Sequence, residues 1–206
     1  MKKPLFTGSG VAIVTPFTKE TVDLPTLGKL LDFQMKNGTD AILTLGTTGE
    51  SATMTDDEDN SVVAAVVKNV AGRVPVIAGS GSNSTQTMLT KSLTYQGLGA
   101  DGLLLITPYY NKSNEEGIYQ HFKTVADAVD IPCILYNIPG RCGCGISERN
   151  VERLAAHPNI MGIKEASGNV AYAAKIAHLL SDDFRMYSGE DALTVPLMSL
   201  GASGTI

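Results

Sequence analysis

Apolar residues gather in short, β-rich runs at residues 11–14, 41–45, 74–78, 102–106, 133–136, 161–164 and 184–188, and an eighth run begins near Ser203. Within each run apolar and polar positions do not alternate, so the runs read as strands buried on both faces, which is the mark of a parallel sheet. Between them the period lengthens to that of a helix. Val62, Val63, Val66, Val67 and Val70 share one helical face, after Thr55 and Glu58 in capping-box spacing and before Gly72. Leu27, Leu30, Leu31 and Met35 repeat the pattern ahead of Gly38, and Ser113 with Glu116 forms a second capping box before a helix over 118–129. Eight strands separated by seven helices leave two architectures, an open doubly wound sheet or a closed eight-stranded barrel. A dinucleotide-binding sheet would place Gly-x-Gly-x-x-Gly after its first strand, whereas Val14 is followed by Thr15, Pro16, Phe17 and Thr18. The pattern therefore predicts an α/β protein, a (β/α)8 TIM barrel over 1–206. Ile206 falls inside the eighth strand, so the barrel is expected to be truncated there and to lack its last helix.

Composition narrows the choice of partner. With 43% hydrophobic and 18% charged residues the chain can build a substantial core, and its 21 glycines and 9 prolines are scattered as turn punctuation. A net charge of −5 without a Lys/Arg stripe offers no footprint for nucleic acid or an anionic membrane, which favours small-molecule partners. Apolar runs fall short of the roughly 18 residues that a membrane span needs. Three cysteines, two of them Cys142 and Cys144, build no disulfide framework, and the spacings of His121, His157 and His178 match no metal motif. After Lys2 and Lys3, the stretch 5–14 is broken by Thr7, Gly8, Ser9 and Gly10 and has no Ala-x-Ala site, so the expected location is cytoplasmic.

Parallel barrels gather their active sites at the C-terminal ends of the strands. That rule collects Thr47, Thr48 and Glu50 after strand two, Tyr109 and Tyr110 after strand four, Tyr136 and Asn137 at strand five, Lys164 and Glu165 at strand six, and Glu190 and Asp191 after strand seven. Lys164 ends an apolar strand, where desolvation lowers an amine's pKa and makes it a nucleophile toward carbonyls. A structural ion pair with Glu50, Glu165 or Glu190 fits the same position equally well. Tyr136, at the neighbouring strand end, is placed to relay protons, with core packing as the alternative. Tyr109 and Tyr110 suit packing or a subunit contact. Thr47 and Thr48 offer hydroxyls and backbone N–H donors in a glycine-flanked turn, and Arg141 can clamp a carboxylate.

Five ordered motifs then carry a resemblance: Gly46-Thr47-Thr48-Gly49-Glu50, Thr107-Pro108-Tyr109-Tyr110-Asn111, Tyr136-Asn137-Ile138-Pro139-Gly140-Arg141, Gly162-Ile163-Lys164-Glu165-Ala166-Ser167 and Gly201-Ala202-Ser203-Gly204. Together they resemble the pyruvate-dependent class I aldolase family of dihydrodipicolinate synthase and N-acetylneuraminate lyase. The paired threonines, Tyr110 and Arg141 look like the first branch, in lysine and diaminopimelate biosynthesis. The resemblance implies that Lys164 forms an imine with pyruvate, becomes an enamine and attacks L-aspartate 4-semialdehyde, after which cyclisation releases 4-hydroxy-tetrahydrodipicolinate. It further implies a proton relay of Tyr136, Thr47 and Tyr110, with Tyr110 reaching the site of a neighbouring subunit in a homodimer or homotetramer. Thr48 would hold the pyruvate carboxylate with help from the Ile206 region, and Arg141 the semialdehyde carboxylate. No metal or diffusible cofactor is implied.

Some relatives are inhibited by lysine at the dimer interface, and Ser51, Ala52, Asn83 and Tyr109 match parts of that site. Asp56, Asp59 and Thr87 stand where lysine-sensitive bacterial enzymes commonly carry two histidines and a glutamate, so little or no lysine response is expected. Family members continue into a small C-terminal helical domain, which the expected domain organisation lacks. Two alternative readings stay open, another pyruvate aldolase of the family and a non-catalytic binding paralogue.

Overall fold

Each buried strand must be covered on its outer face, and a helix after every strand supplies that cover while returning the chain for the next parallel strand. The computed structural model describes residues 5–206. Its strands are β1 (Gly8–Ala12), β2 (Ala41–Thr44), β3 (Val76–Gly79), β4 (Gly102–Ile106), β5 (Cys133–Asn137), β6 (Ile160–Glu165), β7 (Arg185–Ser188) and β8 (Gly204–Thr205). They pair in sequence order, all parallel, and β8 pairs with β1 to close the barrel. The crossovers carry α1 (Leu24–Lys36), α2 (Asp56–Val70), α3 (Thr85–Gly97), α4 (Glu115–Ala128), the single turn α5 (Pro139–Cys142) with α6 (Glu148–Ala155), then α7 (Val170–Ile176) and α8 (Thr194–Ser199).

Two apolar layers follow from strand alternation. Ile42, Leu103, Leu105, Leu135, Ile163 and Met186 face outward and pack with Leu27, Leu31, Val62, Val66, Phe122, Val151 and Leu154 of the helices. Leu43, Ile77, Leu104, Ile134 and Tyr187 face inward. Phe6 stacks on Tyr187 with ring centroids 4.5 Å apart and accepts the Tyr187 hydroxyl on its carbonyl at 2.9 Å, filling the barrel interior below the site.

The expected elements are present, with shifted ends. Strand β1 covers Gly8–Ala12 instead of 11–14, and Val14 is 48% exposed. The reason is close approach: a Cβ on Gly204 would collide with the Gly8 backbone, so barrel closure uses the glycines that strand propensity disfavours. Strands β5 and β6 each run one residue further than expected, to Asn137 and Glu165. Helix α2 has the Thr55 and Glu58 capping box in both directions. The box expected from Ser113 and Glu116 does not form. Asn114 is the N-cap instead, accepting from Gly117 N at 2.8 Å, because its side chain already satisfies a donor of the first turn. Among the described residues no helix is long and apolar enough to cross a membrane.

Candidate active site

Lys164 and Tyr136 are register partners at the inward ends of β6 and β5. Each is 6% exposed, and Lys164 Nζ lies 4.6 Å from the centroid of the Tyr136 ring. Burial lowers the Lys164 pKa from 10.5 to about 8, partly opposed by the negative charge of Asp191 beyond β7. Among the described residues no carboxylate stands within ion-pair distance of Nζ; Glu165 alternates to the opposite face and bonds elsewhere. The ion-pair alternative thus has no partner, whereas a desolvated amine beside a phenol is present.

Tyr136 has its pKa raised by burial, against lowering by the polar influence of Thr47 and by the charge of Arg141. Its hydroxyl therefore keeps its proton at neutral pH. Thr47 and Thr48 sit on one exposed 3-10 turn (Thr47–Gly49) bracketed by Leu45 and Glu50, both in the left-handed region at φ 56° and 57°. Thr15 Oγ1 donates to the Gly49 carbonyl at 2.7 Å and pins the turn to the loop after β1. Buried Leu45 can turn this way because its carbonyl lies against Gly79, where any Cβ would collide with it. Two sites of close approach were thus invisible in the sequence. At the second, a Cβ on Gly189 would sit 2.9 Å from Lys164 Cε, so this glycine leaves room for the lysine stem.

A cleft of about 310 Å³ opens over this end of the barrel, lined by Thr47, Tyr136 and Arg141 together with Ser51, Ala52, Thr87, Lys91 and Tyr109. Thr47 and Tyr136, assigned by resemblance to catalysis, therefore share this surface with Ser51, Ala52 and Tyr109 of the lysine-binding set, whereas Lys164, Thr48 and Tyr110 are not among its lining residues. Asn83 is not among the lining residues; its carbonyl accepts from Asn111 Nδ2 at 3.3 Å. Ile206 is half-buried against the inner apolar layer, its N–H bonded to the Ser188 carbonyl at 2.9 Å. Tyr110 is 90% exposed with φ 72°. Beneath the cleft Asp59 is fully buried and accepts from Lys91 Nζ at 2.6 Å, Tyr95 Oη at 3.3 Å and Ser51 Oγ at 3.4 Å, while Lys91 also pairs with Asp56 at 3.1 Å. Among the described residues no group of three or more His, Cys, Asp or Glu is placed to hold a metal.

The sequence model of the dihydrodipicolinate synthetase family matches residues 5–206. The chain belongs to that family. A 4-hydroxy-tetrahydrodipicolinate synthase of Geobacter sulfurreducens is 52% identical over 202 residues, which are 98% of this chain and 70% of that one. The crystal structure of dihydrodipicolinate synthase from Aquifex aeolicus superposes with a TM-score of 0.95 at 47% identity, covering 98% of this chain and 69% of that one. A chloride-inhibited dihydrodipicolinate synthase from Acinetobacter baumannii, complexed with pyruvate, matches with a TM-score of 0.94 at 44% identity over 97% and 69% of the two chains. Membership agrees with the barrel; the chain spans about 70% of the length of the Geobacter relative.

Proposed function

We propose that this chain is a lyase that condenses pyruvate with L-aspartate 4-semialdehyde to 4-hydroxy-tetrahydrodipicolinate through an imine on Lys164. The observation that carries the reading is the buried Lys164 amine, shifted to about 8 and facing Tyr136. At pH 7 such an amine is about 10% unprotonated, against about 0.03% for an ordinary lysine. Nζ attacks the keto carbon of pyruvate, and the carbinolamine loses water as the Tyr136 hydroxyl, on the Thr47 side of the cleft, delivers and retrieves protons. Loss of a methyl proton gives the enamine, whose carbon bonds to the aldehyde carbon of the second substrate. The substrate amine then displaces Nζ from the former keto carbon, closing the ring and freeing the lysine. Thr48 and the Ile206 region would hold the pyruvate carboxylate, and Arg141, exposed on α5, the second carboxylate. Pyruvate carries its own electron sink once it is an imine, so this route calls for no cofactor.

Cyanoborohydride reduction with and without pyruvate, followed by peptide mass mapping, tests this. A pyruvate-dependent adduct on Lys164 is expected, and absence of one in folded protein refutes the mechanism. The trapping rate should rise with pH through a midpoint at about 8 and level off above it, since the nucleophile is the neutral amine. A rate still climbing at pH 10 would mean an ordinary, solvated lysine.

Tyr110, exposed and held in a left-handed backbone conformation, supports assembly of the chain as a homodimer or homotetramer in which it completes a neighbour's relay. Lysine inhibition is not expected. The ammonium of Lys91 already bonds Asp59 and Asp56, and Ser51 is held on Asp59, so the groups that would greet a free amino acid are internally paired. Saturating lysine should change the condensation rate by less than about twofold, below the roughly fivefold onset of ordinary allosteric coupling. Strong inhibition at low lysine would overturn this.

A further inference from the structure

Strand alternation sends the residues after Tyr136 and Lys164, namely Asn137 and Glu165, to the opposite face, where both are 2% exposed. They meet there. Asn137 Nδ2 donates to Glu165 Oε2 at 2.7 Å, and the other carboxylate oxygen accepts from Ser167 N at 2.7 Å. Asn137 Oδ1 accepts from Ile146 N at 3.0 Å, and the Ile146 carbonyl accepts from Tyr172 Oη at 2.7 Å. Residue 137 starts the loop after β5 and residue 146 ends it, so the Asn137 side chain ties the neck of the loop that carries Arg141. Glu165 ties that neck to β6. The loop packs closely enough that a Cβ on Gly145 would lie 3.2 Å from Asn137 Oδ1.

We infer that Asn137 and Glu165 are positioning residues: their side-chain pair clasps the Arg141 loop to the imine-forming strand ends and thereby sets affinity for the second, carboxylate-bearing substrate. The inference rests on the reaction proposed above. Its chemistry is directional. Every acceptor in the pair faces an N–H, so a change that keeps shape but reverses one donor breaks the clasp. Glu165→Gln sets its NH2 against Asn137 Nδ2 or Ser167 N. Asn137→Asp sets two carboxylates face to face. The double variant, Asn137→Asp with Glu165→Gln, restores every bond. The new carboxylate at position 137 accepts from Ile146 N and from the new amide NH2 at position 165, whose carbonyl oxygen accepts from Ser167 N.

Each single variant is expected to raise KM for the semialdehyde about tenfold, an effect of ~1.4 kcal/mol, with pyruvate trapping on Lys164 within about twofold of wild type, because both altered side chains lie on the strand face opposite Nζ. The double variant should return KM to within about threefold, the size of residual coupling between neighbours. The Asn137→Asp single variant should also recover as pH falls, when one of its facing carboxyls takes up a proton. Melting curves accompany each assay. Should a single variant unfold, the double variant decides: folded with near-normal KM it supports the clasp, and folded with KM still raised it overturns it. Equal losses in trapping and in KM would also overturn it, as would single variants with unchanged KM. Wild type that forms no pyruvate adduct would instead sink the underlying reaction, and the clasp's role with it.

Discussion

Lys164→Met is expected to abolish the pyruvate adduct and to lower condensation at least about 10⁴-fold, the scale of loss when a covalent nucleophile is removed, while making the barrel more stable. Both effects come from the same burial. The Lys164 pKa falls from 10.5 to about 8, so the folded state disfavours the charged form. At any pH below about 8 the amine is protonated in both folded and unfolded chains, and the fold bears the full cost of the buried charge. As pH rises toward 10.5 the folded chain has already lost its proton, the unfolded chain then loses its own, and the cost disappears. Methionine matches the stem without the charge, so the gain at pH 7 is on the order of 2 kcal/mol, a rise in melting temperature of about 4–8 °C. The gain should shrink as pH is raised past about 8 and be largely gone by about 10.5. Thermal melts of both proteins at pH 7 and pH 10 check this, and a variant less stable than wild type at pH 7 would contradict a desolvated amine at this position.

Tyr136→Phe is expected to reduce kcat by about 10²- to 10³-fold, within the range for a lost general acid or base, with little change in stability. The substitution separates two roles that the structure superimposes. Ring packing in the inner layer and the 4.6 Å contact with Nζ both survive in phenylalanine. Only the hydroxyl goes, and with it the proton that burial holds against ionisation. Thr47→Ala should reproduce part of the loss, and Thr47→Ser, which keeps the hydroxyl, should recover most of it. Steady-state condensation alongside melting curves checks the pair of predictions. Equal activity in Tyr136→Phe and wild type would assign Tyr136 to packing alone.

The two predictions draw unequally on sequence and structure. That Lys164 sits at the end of a buried strand is legible from the run Met161, Gly162, Ile163 before it, and Tyr136 from its place at the end of the preceding strand. That these two become direct neighbours depends on the β5–β6 register, which includes an irregularity between Cys133 and Ile134 that no local pattern announces. Thr47, Tyr136, Arg141 and Tyr109 are separate strand-end residues in the sequence, and the closed barrel brings them to one cleft. Glu165 fits Lys164 as an ion-pair partner by nearness in sequence, yet alternation puts consecutive strand residues on opposite faces. Applied to Glu165 and Asn137 together, the same rule points to the clasp.

Strand and helix alternation, the ends of α2 and the set of strand-end polar residues were decided by the sequence itself, since periodicity and capping act within a few residues. Other features required the folded chain: the early start of β1, the left-handed turn at Leu45 against Gly79, the room that Gly189 leaves for Lys164, and the pairing of Asn137 with Glu165. Each is a contact between segments far apart in the chain, made at distances where one methyl group or one reversed hydrogen bond changes the outcome. Local preference carries no information about such distances; barrel closure does, because it brings every strand end to the same rim and leaves each side chain only the space its neighbours do not fill.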